Sequence, residues 1–284
     1  MSDERAGTAV QTWASAEAVA QWQQGAARRA AVLGEATERL LDAAGLRPGL
    51  RVLDLGAGAG EQSILAARRV GPNGTVLAVD VSASMLEAAA RAARDAGLDG
   101  VIATHTADIS TLDLGDRRFD VAISRLGIMF MPDVAAGLSR VHGVLVPGAR
   151  LAALVWSAAE RNPYMSTSIE VVRDEMGRLP QSTPTVLRAM SLGAPGVLEQ
   201  ALGAAGFGQI EVQPVAIERH FSSLDETLEL LRTGSSAQAE VMRDLDEGQQ
   251  ADAWSEIRRR LQAYVQSDGT VRIPGELLLA SASA

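Results

Sequence analysis

Between residues 16 and 44, apolar side chains recur at Val19, Trp22, Ala26, Leu33 and Leu40, a spacing that sets them on one face of a helix. The pattern stops at Gly45, and Arg47-Pro48-Gly49 makes a turn. Beyond it the period shortens. Residues 51–55, 75–80, 101–106, 119–124 and 150–156 form short runs rich in Val, Ile, Leu and Thr that read as strands. Helical stretches lie between most of them. One covers residues 61–70 and closes at Gly71-Pro72; the next opens at Ser84, with Glu87 three residues on as a capping box, and closes at Gly97. A third covers 134–146 and ends at Pro147-Gly148. Strands alternating with single helices require right-handed crossovers, hence a parallel sheet covered on both faces.

After residue 156 the rhythm changes. Residues 157–195 carry Pro163, Pro180, Pro184 and Pro195 but no strand pattern, and read as a mobile helical insertion. A helix at 195–205 and a strand at 209–221 resume the sheet, two or three helices fill 224–266, and a last apolar run covers 270–282. The expected organisation is an N-terminal helical segment (1–45), a cofactor-binding core (46–156), a helical cap insertion (157–195) and the remainder of the sheet (196–284) with a second cap segment (224–266). The expected fold is α/β: one doubly wound domain with an N-terminal helix and a helical cap.

Composition narrows the chemistry. With 284 residues, 47% of them hydrophobic, the chain can bury a large core. No apolar run approaches the roughly 20 residues needed to span a bilayer, and residues 1–11 hold no leader-like apolar core, so a soluble, cytoplasmic protein with no membrane partner is expected. The absence of cysteine excludes disulfides, thiolate metal sites and cysteine nucleophiles. His105, His142 and His220 lack a metal-ligand spacing, and no metal is expected. All 26 basic residues are arginine, a bias typical of GC-rich bacterial genomes. A net charge of −9 argues against nucleic acid as a partner, and Arg258-Arg259-Arg260 reads as a solvated helix face. A small-molecule substrate is expected; a homodimer is compatible with the chain.

The run Val52-Leu53-Asp54-Leu55-Gly56-Ala57-Gly58-Ala59-Gly60 is a strand feeding a glycine turn and then a helix. Such a turn aims unpaired N–H groups at a ligand and lets it approach the backbone. The spacing Gly56-x-Gly58-x-Gly60 is one residue tighter than the Gly-x-Gly-x-x-Gly of pyrophosphate-binding dehydrogenases. The second strand ends in Asp80, placed to accept hydrogen bonds from both hydroxyls of a ribose. The plainer alternative is that the glycines only turn the chain and Asp80 caps the helix beginning near Ser82.

These residues, with Asp80-Val81-Ser82-x-x-Met85-Leu86, Ala107-Asp108-Ile109 and Phe119-Asp120-Val121-Ala122-Ile123-Ser124-Arg125, resemble in order the motifs of the class I S-adenosylmethionine (SAM)-dependent methyltransferases. The branch resembled is the small-molecule one that includes the ubiquinone and menaquinone methyltransferases. Arg125 to Phe130, Val146-Pro147-Gly148, Trp156 and Asn162-Pro163-Tyr164 resemble signatures of one bacterial subgroup.

The resemblance implies a Rossmann-like sheet of seven strands and SAM as cofactor. It implies that Gly56, Ala57, Gly58 and Gly60 cradle the methionine part and ribose, that Asp80 holds the ribose hydroxyls, and that Val81 and Met85 pack on adenine. Asp108 would accept from the adenine amino group, with Ile109 behind the ring. Ser124 would offer its main-chain carbonyl to the methionine ammonium, and Trp22 would close over the methionine end. Gln62 and Arg125 complete the implied cofactor set. Ala107 departs from the family, which often has glycine there. Met85, Ile109 and Trp22 could equally be core residues, Asp108 could start a turn, and Arg125 could pair with an acidic substrate or anchor the cap.

Methyl transfer needs an acceptor aligned behind the methyl group and water excluded, with a general base where the acceptor is a phenol or acidic carbon. Tyr164 is the first candidate because it follows the fifth strand, and His220, closing a later strand, the second. His142, in mid-helix, reads as structural, and His105 has no assigned role. Met165, Met176 and Met190 suit an apolar substrate held by adaptable contacts. The expected activity is methylation, at carbon or oxygen, of a small, largely apolar metabolite in secondary metabolism. The rivals are a SAM-binding protein that does not methylate and a nicotinamide-dependent oxidoreductase, against which the glycine spacing and Asp108 count.

Overall fold

A computed structural model describes residues 16–177, 185–233 and 240–284. Residues 1–11, Pro180 and Pro184 lie outside the described residues. The N-terminal periodic stretch is two helices, α1 (Ala16–Gln24) and α2 (Ala26–Ala43), parted at Gly25. The runs read as strands are β1 (Arg51–Leu55), β2 (Thr75–Asp80), β3 (Ile102–Thr106), β4 (Phe119–Arg125) and β5 (Leu145–Trp156), followed later by β6 (Gly208–Phe221) and β7 (Val271–Ser283).

The seven strands form one sheet in the order β3-β2-β1-β4-β5-β7-β6. The pairs β1–β2, β1–β4, β2–β3 and β4–β5 are parallel. β7 runs against β5: Gly148 N donates to Ala284 O, while Ser157 N donates to Glu276 O. The sheet is therefore mixed. Helices α3 (Glu61–Val70), α4 (Ala83–Asp95) and α5 (Val134–Val144) make the crossovers. Val52 to Leu55 are all buried, as expected of a strand covered on both faces.

Two boundaries differ from the sequence reading. α4 starts at Ala83 with Ser82 as its cap, the Ser82 hydroxyl accepting from Met85 N at 3.2 Å; Ser84 is not the cap. An acceptor on Ser82 reaches the N3 amide directly, so the helix begins two residues earlier. α5 ends at Val144, and the chain enters β5 at once. Pro147-Gly148 lies inside that strand near its start, where Gly148 bonds to Ala284 O.

The described residues form two compact units. The first runs through Val155 and includes Ala194–Val215 and Leu278–Ala284; the second comprises Trp156–Gly193 and Ala216–Leu277. The first holds most of the sheet, its crossovers and α8 (Val197–Ala204), the eighth helix in chain order. His142 of α5 meets Phe207 edge-on at 5.0 Å, a packing role. The second unit contains α6 (Pro163–Met176), α7 (Thr185–Ala189), α9 (Leu224–Thr233) and α10 (Glu247–Leu261). On α10, Arg258 pairs with Asp225, Arg259 with Glu256, and Arg260 with Glu256 and Asp174. No described helix is long and apolar enough to cross a membrane.

Asn162, fully buried before α6, ties the second unit together. Its Nδ2 donates to the carbonyls of Ser157, Ala158 and Glu276 at 3.0–3.3 Å, and its Oδ1 accepts from Glu276 N at 3.1 Å. Truncation would orphan backbone groups away from water. Asn162→Ala is expected to lower unfolding free energy by about 2–3 kcal/mol, read from urea denaturation. A change within error of zero would remove this tie from the account.

Candidate cofactor site

Parallel pairing puts the carboxyl ends of β1, β2, β3 and β4 on one edge of the sheet, where ligands of open α/β folds bind. The turn after β1 rises from that edge, with Gly56 N and Ala57 N donating to Val79 O at 2.9 and 3.0 Å. Gly56 must be glycine twice over. Its φ is +68°, and a Cβ there would stand 2.8 Å from the Cα of Gly127. Gly127 is equally confined, since its own Cβ would meet Leu55 O at 2.7 Å. The loop leaving β4 thus presses backbone to backbone on the glycine turn. Its neighbour Leu126 adopts φ +61°, a strained conformation for a leucine. The sequence held Gly127 only as part of the Arg125 to Phe130 run; the signal for its packing role was a glycine two residues past a strand that ends beside the turn.

Asp80 closes the turn from the side. One carboxylate oxygen accepts from Gly58 N at 2.8 Å and the other from Ser82 N at 2.9 Å. Each oxygen keeps acceptor capacity, and both are held in a fixed direction. Burial raises the carboxyl above its ordinary range, an effect the donated backbone hydrogen bonds from Ser82, Gly58 and Val81 oppose. Ala107 N donates to Asp80 O at 3.0 Å, which brings the loop after β3 to the same edge. Asp108 uses Oδ1 to accept from Ser110 N and Ser110 Oγ at 2.8 and 2.7 Å, capping a single turn at Ile109–Thr111. Val81 is half-buried, Ile109 is buried, and Met85 is buried with Val19 and Ala88 against Trp22 and Ala59. Trp22 faces the turn, its Nε1 3.8 Å from where a Cβ on Gly58 would stand.

Under the turn lies a buried polar network. Asp54, fully buried in β1, accepts from Gln62 Nε2 at 2.7 Å and from Ser63 Oγ. Gln62 Oε1 accepts from Arg125 Nε at 3.1 Å, Arg125 also donates to Thr37 Oγ1 at 3.2 Å, and its Nη2 pairs with Glu61. Glu61 pairs in turn with Arg29, whose guanidinium lies 3.7 Å over the Trp22 ring and donates to Trp22 O at 2.6 Å. Within the first unit the Arg125 side chain is engaged by Glu61, Gln62 and Thr37. Both ends of the Gln62 side chain are likewise engaged within the protein. Ser124 Oγ donates to Leu55 O at 2.9 Å, pinning β4 to β1 beside the turn.

Tyr164 and His220 belong to the second unit. Tyr164 stacks on Phe221 at 5.3 Å, and His220, exposed, pairs with Glu218 at 2.6 Å. An open hollow at the amino ends of the strands, among Arg51, Thr75, Ile102 and Phe119, has Arg51 already bound to Asp120 and offers no comparable donor set.

A fixed acid beside a glycine turn, with α3 beginning at Gly60 without a side-chain cap, provides acceptors for a ribose and backbone donors at a helix N-terminus. Residues 46–185 match the model of the methyltransferase domain family. This segment of the chain is a methyltransferase domain, and the curated relatives it is similar to are methyltransferases. It is 30% identical to nocamycin O-methyltransferase of Saccharothrix syringae over 61% of this chain and 64% of that protein. It is 32% identical to the ubiquinone/menaquinone biosynthesis C-methyltransferase UbiE of Shewanella sp. strain ANA-3, over 41% of this chain and 47% of that one. The chain thus spans between about half and two thirds of these relatives. The YcgJ protein of Bacillus subtilis shares the fold, with a TM-score of 0.60 at 17% identity over 88% of this chain and 98% of that chain. A seven-stranded methyltransferase sheet is therefore what the motif order implied. The residues at the turn fit such a cofactor: the Asp80 carboxylate keeps acceptor capacity beside the turn, and Gly56, Gly58 and Gly60 present backbone alone.

The buried Asp54 gives the network a pH signature. Burial raises its carboxyl to about 6, against the pull of Ser63, Gln62 and the Arg125 charge. Between the unfolded value and about 6 the folded chain holds a proton that the unfolded chain has released. The contribution of Asp54 to stability is thus greatest at low pH and falls as pH rises through that window, by about 2–3 kcal/mol. Asp54→Asn lacks this titration, so its stability relative to wild type should rise by that amount from about pH 4 to pH 6. Paired urea unfolding at several pH values measures it, and a difference that stays flat would contradict the assignment.

Proposed function

We propose that this chain transfers a methyl group from SAM to a carbon or oxygen of a small, largely apolar metabolite, as a cytoplasmic enzyme of secondary metabolism. The observation that carries the reading is Asp80. Its carboxylate is locked to Gly58 N and Ser82 N at the carboxyl end of β2, so an acidic acceptor is built into the glycine turn itself. When bound, the cofactor supplies a methyl group on a sulfonium, open to in-line displacement.

The chain's own part is to hold and orient. Gly56, Ala57, Gly58 and Gly60 hold the backbone open, Asp80 holds the ribose, and Val81, Met85, Asp108 and Ile109 receive the adenine. Trp22, kept in place by Arg29, covers the turn. Tyr164 is the residue assigned to remove a proton from a phenol or acidic carbon, its oxygen accepting that proton as the phenolate; His220, exposed and paired with Glu218, suits that task less well. The two named relatives support acceptors of this kind, one being an O-methyltransferase and the other a C-methyltransferase. In the rival readings the same turn would hold SAM without methyl transfer, or would hold a nicotinamide cofactor.

Isothermal titration tests the reading. SAM and S-adenosylhomocysteine should bind the wild type, NADH should not, and Asp80→Ala should weaken both adenosyl ligands by about tenfold or more. Absence of S-adenosylhomocysteine binding would overturn the reading, and unchanged affinity in Asp80→Ala would overturn the ribose assignment. A candidate acceptor gaining one methyl group by mass spectrometry separates transfer from binding alone.

A further inference from the structure

Arg219 lies in β6, in a stretch whose neighbours Glu218 and His220 are exposed and paired with each other. Its own side chain turns the other way. The guanidinium stands 5.1 Å from the ring centroid of Trp156 and 4.9 Å from that of Tyr164. Nη1 is shut off from solvent without a hydrogen-bond partner, beside Gly275, where a Cβ would come within 3.2 Å of it. Among the described residues no carboxylate pairs with Arg219 and no hydrogen bond engages it, although the residue is only half-buried. All four residues belong to the second unit.

This arrangement is unusual in a chain with 35 acidic residues, where an arginine readily finds a carboxylate. The orphan atoms elsewhere, Arg29 Nε and Arg188 Nε, sit on side chains that have other partners, Glu61 for Arg29 and Thr185 for Arg188. Burying a charge without a counter-charge is costly, and two aromatic faces return only part of that cost. Burial lowers the Arg219 guanidinium to about 10, which still leaves it charged at neutral pH. A planar cation flanked by flat rings, with an edge left unbonded, matches a planar oxyanion in both shape and charge.

We infer that Arg219, flanked by Trp156 and Tyr164, is the substrate-recognition site for a carboxylate carried by an otherwise apolar metabolite. The inference rests on the methyltransferase reading above and adds to it the acidic group that selects the substrate. Trp156 ends β5 and Tyr164 opens α6, so two consecutive elements, joined through the buried Asn162, supply the walls. Arg219 binds and orients; no bond is made or broken on it.

The probe is 2-naphthoate, with the neutral 2-naphthamide as its isostere, titrated calorimetrically into the protein with and without S-adenosylhomocysteine. Naphthoate should bind the wild type at least tenfold more tightly than naphthamide. Arg219→Gln should lose that preference, and Arg219→Lys should retain part of it, while S-adenosylhomocysteine affinity stays unchanged in both. Equal binding of the two probes by the wild type, or no binding of naphthoate, would overturn the inference and leave Arg219 as a packing residue. The wild-type comparison decides the matter even if a variant fails to fold. Failure of S-adenosylhomocysteine binding would instead strike the methyltransferase reading, and the probe comparison on the unliganded protein would still judge Arg219.

Discussion

The first unit depends on a buried charge that has to be neutralised in place. Asp54 sits in the central strand with no access to water, two residues before the glycines. A carboxylate there is tolerable only if every acceptor site is used and a positive charge lies close. Gln62 and Ser63 supply the hydrogen bonds, Arg125 the charge, and Glu61 and Arg29 extend the network to Trp22. Two carboxylates and two guanidiniums balance. The consequence is mechanical: β1, the first turn of α3, the end of β4 and the N-terminal helices are held by one set of bonds, directly below the glycine turn.

That constraint explains why the turn can be made of glycine. A chain that adopts positive φ at Gly56, Gly58 and Gly60 has little local reason to stay there. It is held by Asp80 accepting from Gly58 N, by Val79 O accepting from two successive amides, and by Gly127 pressed against Gly56. The strained Leu126 is what brings Gly127 into that position. A preorganised cradle of this kind spends the ordering cost at folding rather than at ligand binding.

β1 and β2 were legible because each is a short apolar run bounded by glycine or an acid, and they and α3 fall where the pattern puts them. Glycine and proline misled where they sit inside elements: Pro147-Gly148 reads as a terminator yet lies within β5, and Gly25 splits a helix whose apolar face runs on unbroken. Asp80 and the glycines could be found because their spacing carries the chemistry. Gln62 and Arg125 could be found only as positions, since nothing in the sequence tells that their side chains are consumed by Asp54 and Glu61. Arg219 was invisible for a related reason. An arginine between Glu218 and His220 in an alternating strand looks like one more solvent-facing charge, and only the fold reveals that it faces Trp156 and Tyr164 instead.

The acidic end of β2, locked to the glycine turn, is the centre of the proposed cofactor site. A crystal structure with S-adenosylhomocysteine bound tests it most directly. The ligand's ribose hydroxyls should lie within hydrogen-bonding distance of the Asp80 carboxylate, with Gly56 to Gly60 against the ribose and methionine part. A ligand seated elsewhere, or an Asp80 carboxylate left untouched by it, would contradict the account.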